Sequence, residues 1–175
     1  MLKLKTSISL VTLLLLILVV PSFTAEDRPG VAALLIGLHE VPSVLTKGHG
    51  EFKAKLSDDG TQIQFTLKYA DLEGTPTVAY IHFGQRFANG GIIATLCGGS
   101  KPACLSAGTL FSGTLVAADI AGPAGQGIDA GNFAEALLAI RSGHTYVNIH
   151  TNKYSDGEIR GQIRHRYHED DDNND

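Results

Sequence analysis

Apolar and polar residues alternate with a period of two in several stretches of this chain. Over residues 48–56, Phe52, Ala54 and Leu56 alternate with Glu51, Lys53 and Lys55. Over residues 61–70, Ile63, Phe65, Leu67 and Tyr69 alternate with polar neighbours. That period belongs to a strand with one buried face. Ser57-Asp58-Asp59-Gly60 lies between the two runs, and Gly60 is free to take positive φ, so the pattern predicts a hairpin. The same alternation returns near the C-terminus. Val147, Ile149 and Thr151 alternate with Tyr146, Asn148 and His150. After an Asp156-Gly157 turn signal, Ile159 and Ile163 alternate with Glu158, Arg160 and Gln162. Over residues 77–84, Tyr80 and His82 share one face and Ala79, Ile81 and Phe83 the other.

The remaining elements are shorter. Residues 31–38 are apolar and form a first strand, which Pro42 keeps from continuing. Residues 92–96 and 109–117 read as two more strands, and 121–127 as a Gly/Pro loop. Phe133, Leu137, Leu138 and Ile140 are spaced for one face of a helix. Asp129 or Asn132 is placed to cap that helix, and Gly143 suits its exit. So short a helix must pack on the sheet to persist. The pattern predicts an all-β, antiparallel domain with one short helix.

The polar faces of the His-bearing strands carry the candidate chemistry. If the two ribbons are neighbours, His82 and His150 enter one polar pocket with Tyr80, Asn148, Glu158, Arg160 and Gln162. The preferred reading is a buried hydrogen-bond network, which fixes strand register because a slip by one residue would bury its charges in the core. The alternative is a copper or zinc site with His82 and His150 as ligands and Glu158 or Arg160 orienting them. Other routes to catalysis find little support. There is no Gly-x-Ser-x-Gly elbow and no Gly-rich phosphate loop opening a helix with Lys-Ser/Thr.

Four stretches also carry a resemblance. Tyr80-Ile81-His82-Phe83-Gly84, Tyr146-Val147-Asn148-Ile149-His150-Thr151, Gly157-Glu158-Ile159-Arg160-Gly161-Gln162 and, upstream, Gly37-Leu38-His39-Glu40-Val41-Pro42 resemble the signature of the chordin-type (CHRD) domain over roughly residues 31–163. The family often has His where this chain has Tyr80. The resemblance implies a secreted β-sandwich, immunoglobulin-like or superoxide-dismutase-like, with no settled activity. It favours a non-catalytic binding or structural module over an enzyme. Chordin itself antagonises extracellular growth factors, but likeness of fold does not transfer a ligand.

Composition adds the setting. Lys3 and Lys5 followed by an apolar run at 10–20 and Pro21–Ala25 read as a secretory signal over residues 1–25; the alternative is an uncleaved anchor. No Cys lies directly after the run to accept a lipid. The domain is then expected over 26–166, exported to the periplasm or the extracellular space. Loss of residues 1–25 removes two lysines and no acid, so the net charge of −4 becomes −6. That balance argues against nucleic acid and anionic membrane surfaces as partners, leaving an extracellular protein or other ligand. Cys97 and Cys104 flank a Gly/Pro loop and are expected to form a disulfide, worth roughly 2.5 kcal/mol by loop-closure entropy. Residues 167–175, rich in Asp, read as a disordered acidic tail.

Overall fold

The computed structural model describes residues 30–166; the expected signal peptide and acidic tail lie outside them. Among the described residues nine strands form in chain order: β1 (Val31–Ile36), β2 (His49–Leu56), β3 (Ile63–Ala70), β4 (Pro76–Phe83), β5 (Gly91–Gly98), β6 (Phe111–Leu115), β7 (Thr145–Thr151), β8 (Ile159–Gln162) and β9 (Arg164–His165). One α-helix, α1 (Phe133–Arg141), precedes β7. The strands join in the order β5-β4-β7-β8-β1-β2-β3-β6, with β9 beside β1, and each of these pairs is antiparallel. The domain is all-β with one short helix, as the alternation predicts. Hydrogen bonding runs unbroken across the whole sheet, because β8 meets β1 at the Ile36–Arg160 pair. The sheet is barrel-like and nearly closed: an isolated bridge from Ala94 of β5 to Ile120, just past β6, spans its two ends.

Side-chain alternation explains the core. Phe52 and Ala54 of β2, Ile63, Phe65, Leu67 and Tyr69 of β3, and Ala79 and Ile81 of β4 all turn inward and are buried. Val147, Ile149, Ile159 and Ile163 are each 0% exposed, and so complete the inner face on the side that carries the His strands. At the β2–β3 turn, Asp59 Oδ1 accepts from the Ser57 and Thr61 hydroxyls and the Thr61 amide, while Gly60 takes φ 73°. These bonds hold the Asp59 carboxyl below its ordinary range.

The helix differs from expectation in one detail. Asn132 is its cap, with Oδ1 accepting the Glu135 amide at 3.3 Å; the Asp129 amide instead donates to the Glu135 carboxylate. Its buried stripe is Ala136, Ala139 and Ile140, with Phe133 and Leu137 packed beside them, and Leu138 points out at 69% exposed. Residue 138 falls off the stripe set by 133, 136, 137 and 140 at 3.6 residues per turn.

Cys97 and Cys104 are bonded, with Cα atoms 4.9 Å apart. Lys101, inside that loop, pairs with Asp119 at 2.5 Å and fastens it to the segment after β6. Replacing both cysteines with serine is expected to cost roughly 2.5 kcal/mol, read as a lower urea midpoint than the oxidised wild type. An unchanged midpoint would show that the loop is equally ordered without the bond.

Candidate functional site

Register builds the site. β4 pairs with β7 so that Tyr80 faces Asn148 and His82 faces Tyr146; β7 pairs with β8 so that Asn148 faces Arg160 and Tyr146 faces Gln162. Two polar rows therefore cross three strands on the outer side of the sheet: Tyr80–Asn148–Arg160 and His82–Tyr146–Gln162. An outer face would ordinarily be wet. Here His82, Tyr146, Asn148 and Arg160 are all buried. The β4–β5 loop and Glu40 cover them, as their bonds show.

Arg160 organises the cover. Its two terminal nitrogens donate to the Asn89 side chain and to the backbone carbonyls of Gln85 and Ala88, at 2.7–3.1 Å. Its Cζ lies 3.4 Å from the Tyr146 ring centroid. The same ring stacks on His82, with centroids 4.8 Å apart and planes within 4°. The His82 and His150 rings are 6.4 Å apart and also parallel, and Tyr80 meets both edge-on at 5.5 and 5.3 Å. The two histidines lie on different strands, β4 and β7, and the pairing of those strands brings them into one chamber.

The protonation pattern follows from geometry. His82 Nδ1 lies 3.0 Å from the Gly90 carbonyl and His150 Nδ1 lies 2.7 Å from the Ser155 carbonyl. A carbonyl only accepts, so both Nδ1 atoms carry the proton. Burial pushes His82 down to about 4 and lowers His150 as well, so both rings are neutral near pH 7. Each Nε2 is then a lone pair, and among the described residues neither has a hydrogen-bond partner; nor do Glu40 Oε1 and Asn148 Oδ1. Asn148 cannot be flipped to advantage, because its Nδ2 donates to the Asp156 carbonyl and Glu40 Oε2 at 3.3 and 3.4 Å. Gly157, at φ 131°, admits this contact: a Cβ there would lie 2.6 Å from Asn148 Nδ2 and 2.8 Å from Glu40 Oε1.

Glu158 departs from the expected pocket. Its carboxylate accepts from the Thr46 and Thr151 hydroxyls and from the Glu73 and Gly74 amides, at 2.6–3.1 Å. None of these groups belongs to the His chamber. The Glu158 amide donates to the Ile149 carbonyl, but the β7–β8 ladder ends at the Ile149–Ile159 pair and β8 begins at Ile159. Glu158 therefore lies before the strand and does not keep the phase that would put it beside Arg160. Gln162 keeps its row but spends its amide on the Gly84 and Gly143 carbonyls. Glu40 was not picked out from sequence, although it sits inside the Gly37–Pro42 motif. Its burial against Asn148 depends on a turn that no periodicity reveals.

Glu40 gives the site a pH dependence. Burial pushes its carboxyl up to about 8, against the opposing pull of Arg160. Between 4.5 and 8 the folded protein holds this proton and the unfolded chain does not, so stability falls as pH rises through that window. His82 acts oppositely: between about 4 and 6.5 only the unfolded chain is protonated, so stability falls as pH drops. From pH 6.5 to 8 the Glu40 effect stands without that opposition. Wild-type stability is expected to decline there by about 1.4 kcal/mol per pH unit at most. Glu40→Gln should flatten the decline; urea melts at half-unit steps check it, and an equally steep variant would exclude Glu40 as its source.

Among the described residues, no three His, Cys, Asp or Glu side chains are grouped so as to hold a metal ion. No described helix is long and apolar enough to cross a membrane. No curated protein and no solved structure matches the chain significantly. The CHRD domain model matches residues 31–163, the span from the start of β1 to the residue after β8. CHRD domains occur in extracellular proteins, and the disulfide is consistent with export. The match covers most of the sequence and every strand that builds the chamber, and the chain belongs to the CHRD domain family.

Proposed function

We propose that the protein is an exported, non-catalytic β-rich module, of the sandwich type expected for its family, that binds an extracellular ligand or serves structurally. One observation carries this reading. The polar groups best suited to chemistry are spent on fastening backbone: Arg160 on the β4–β5 loop and Glu158 on the β3–β4 loop. The sandwich type fits a sheet whose halves, β5-β4-β7-β8 and β1-β2-β3-β6, enclose one core. Rigid loops at the rim of a β-scaffold are a common platform for recognition.

A second reading is a copper- or zinc-binding protein with a superoxide-dismutase-like site. It is favoured by the two unpartnered Nε2 lone pairs, because a metal-bound imidazole commonly donates its other N–H to a carbonyl. Metal analysis of tag-free protein separates the two. The first reading expects no stoichiometric copper or zinc and a melting temperature unmoved by chelator. Stoichiometric metal that disappears in His82→Ala and in His150→Ala would replace it with the second. Export is tested separately: the secreted protein should have lost residues 1–25 and contain no free thiol.

A further inference from the structure

A second concavity lies beside the chamber, on the outer face of β1. It is an open groove of about 540 Å³. Ala32 and Leu34 line it together with Arg86, Arg164, the already engaged Arg160, His39 and His165, and Glu51 is the one acid among the described lining residues. Register explains the hollow. Ala32 lies between Arg164 of β9 and Lys53 of β2, so a small side chain separates two long ones. Leu34 remains 70% exposed, an apolar surface with nothing packed on it among the described residues.

The charges of the groove are unequally matched. Glu51 is already paired with Lys53 at 2.7 Å. His165 Nε2 lies 2.8 Å from the Arg141 carbonyl. Arg86 lies over the Phe87 ring at 4.8 Å and reaches His39 only at 3.5 Å; it meets no carboxylate among the described residues. The Arg164 backbone is held in the ladder with Ala32, but its side chain makes no hydrogen bond or ion pair with any described residue. Among the described residues, then, neither Arg86 nor Arg164 has an acidic partner, and both line one cavity in a chain whose net charge is −4. Phe87, next to Arg86, is 63% exposed and takes φ 65°, a conformation uncommon outside glycine. That backbone sets the loop from which Arg86 reaches the groove, and Arg160 clamps the loop on either side of it, at Gln85 and Ala88.

We propose that this groove binds a small organic anion, with a carboxylate or sulfate head held by Arg86 and Arg164 and an apolar body laid on Ala32 and Leu34. The planar fork of a guanidinium matches both head groups through paired N–H donors. A cavity of this volume falls in the range that holds a drug-sized molecule. The proposal rests on the binding-module reading and names the ligand class for it.

The test uses the full mature chain with a chelator present, so that metal in the His chamber is read separately from binding in the groove. Phenylbutyrate is titrated while the methyl signals of Ala32 and Leu34 are followed by NMR, with phenylbutyramide as the neutral control. Saturable shifts at both residues, at least tenfold weaker binding of the amide, and at least fivefold weaker binding in Arg86→Gln and in Arg164→Gln are expected. Both arginines are exposed, so these variants should fold as the wild type does. Leu34→Ser should weaken phenylbutyrate while leaving competition by inorganic sulfate intact. Shifts confined to other parts of the molecule, equal affinity for the amide, or affinities unchanged in both arginine variants would overturn the proposal. Failure here together with absence of metal leaves the module reading with a structural role alone.

Discussion

Glu158→Ala is expected to destabilise the protein by about 3–5 kcal/mol. The carboxylate is 0% exposed and accepts four hydrogen bonds, two from hydroxyls and two from backbone amides. Alanine would leave the Thr46 and Thr151 hydroxyls and the Glu73 and Gly74 amides without their acceptor. The Thr151 hydroxyl is the worst placed to find water, since that residue is 1% exposed. Glu158→Gln distinguishes this account from loss of packing. Glutamine fills the same space but brings an NH2 group to face donors, so it should lose about 2 kcal/mol rather than nothing. Urea melts give the energies, and faster hydrogen exchange at the Glu73 and Gly74 amides should accompany them. A variant as stable as wild type would mean that the β3–β4 loop is held by other contacts.

That result would also bear on what the sequence makes legible. The strands were readable because each buries one face, and period two survives wherever the ladder is regular. That His82 and His150 share one face of the sheet is readable for the same reason: Tyr80, His82, Asn148 and His150 keep their phase along β4 and β7. Glu158 is not legible in this way because the alternation extends past the start of β8, where the ladder with β7 ends at the Ile149–Ile159 pair. The end of a ladder leaves no mark on an apolar/polar pattern. Glu40 was overlooked for a different reason. It follows a 3-10 turn at Gly37–His39, and only the fold shows that this turn brings a carboxyl against Asn148. The groove at Arg86 and Arg164 combines a loop residue with a two-residue strand, and neither carries a periodic signal.

Arg160→Ala is expected to cost about 3 kcal/mol and to loosen the β4–β5 loop selectively. Its guanidinium is 2% exposed at the level of the residue, yet it bonds to Gln85, Ala88 and Asn89, which are themselves exposed. Water can reach those three once the arginine is gone, so their desolvation is not the main loss. The loss comes from charge-assisted hydrogen bonds, from the cation over Tyr146 and from the volume left beneath the loop. Arg160→Lys tests this division. An ammonium keeps the charge but cannot span the Asn89 side chain and two carbonyls with one planar fork, so most of the loss should remain. The strands should be nearly unaffected in exchange rate at fixed stability, while the amides of residues 85–90 exchange faster and the loop becomes open to proteolysis. Full recovery in the lysine variant would assign Arg160 a purely electrostatic role. Persistent loss, with the Arg86 loop freed, would show instead that one buried fork sets both the chamber roof and the position of the arginine that faces the groove.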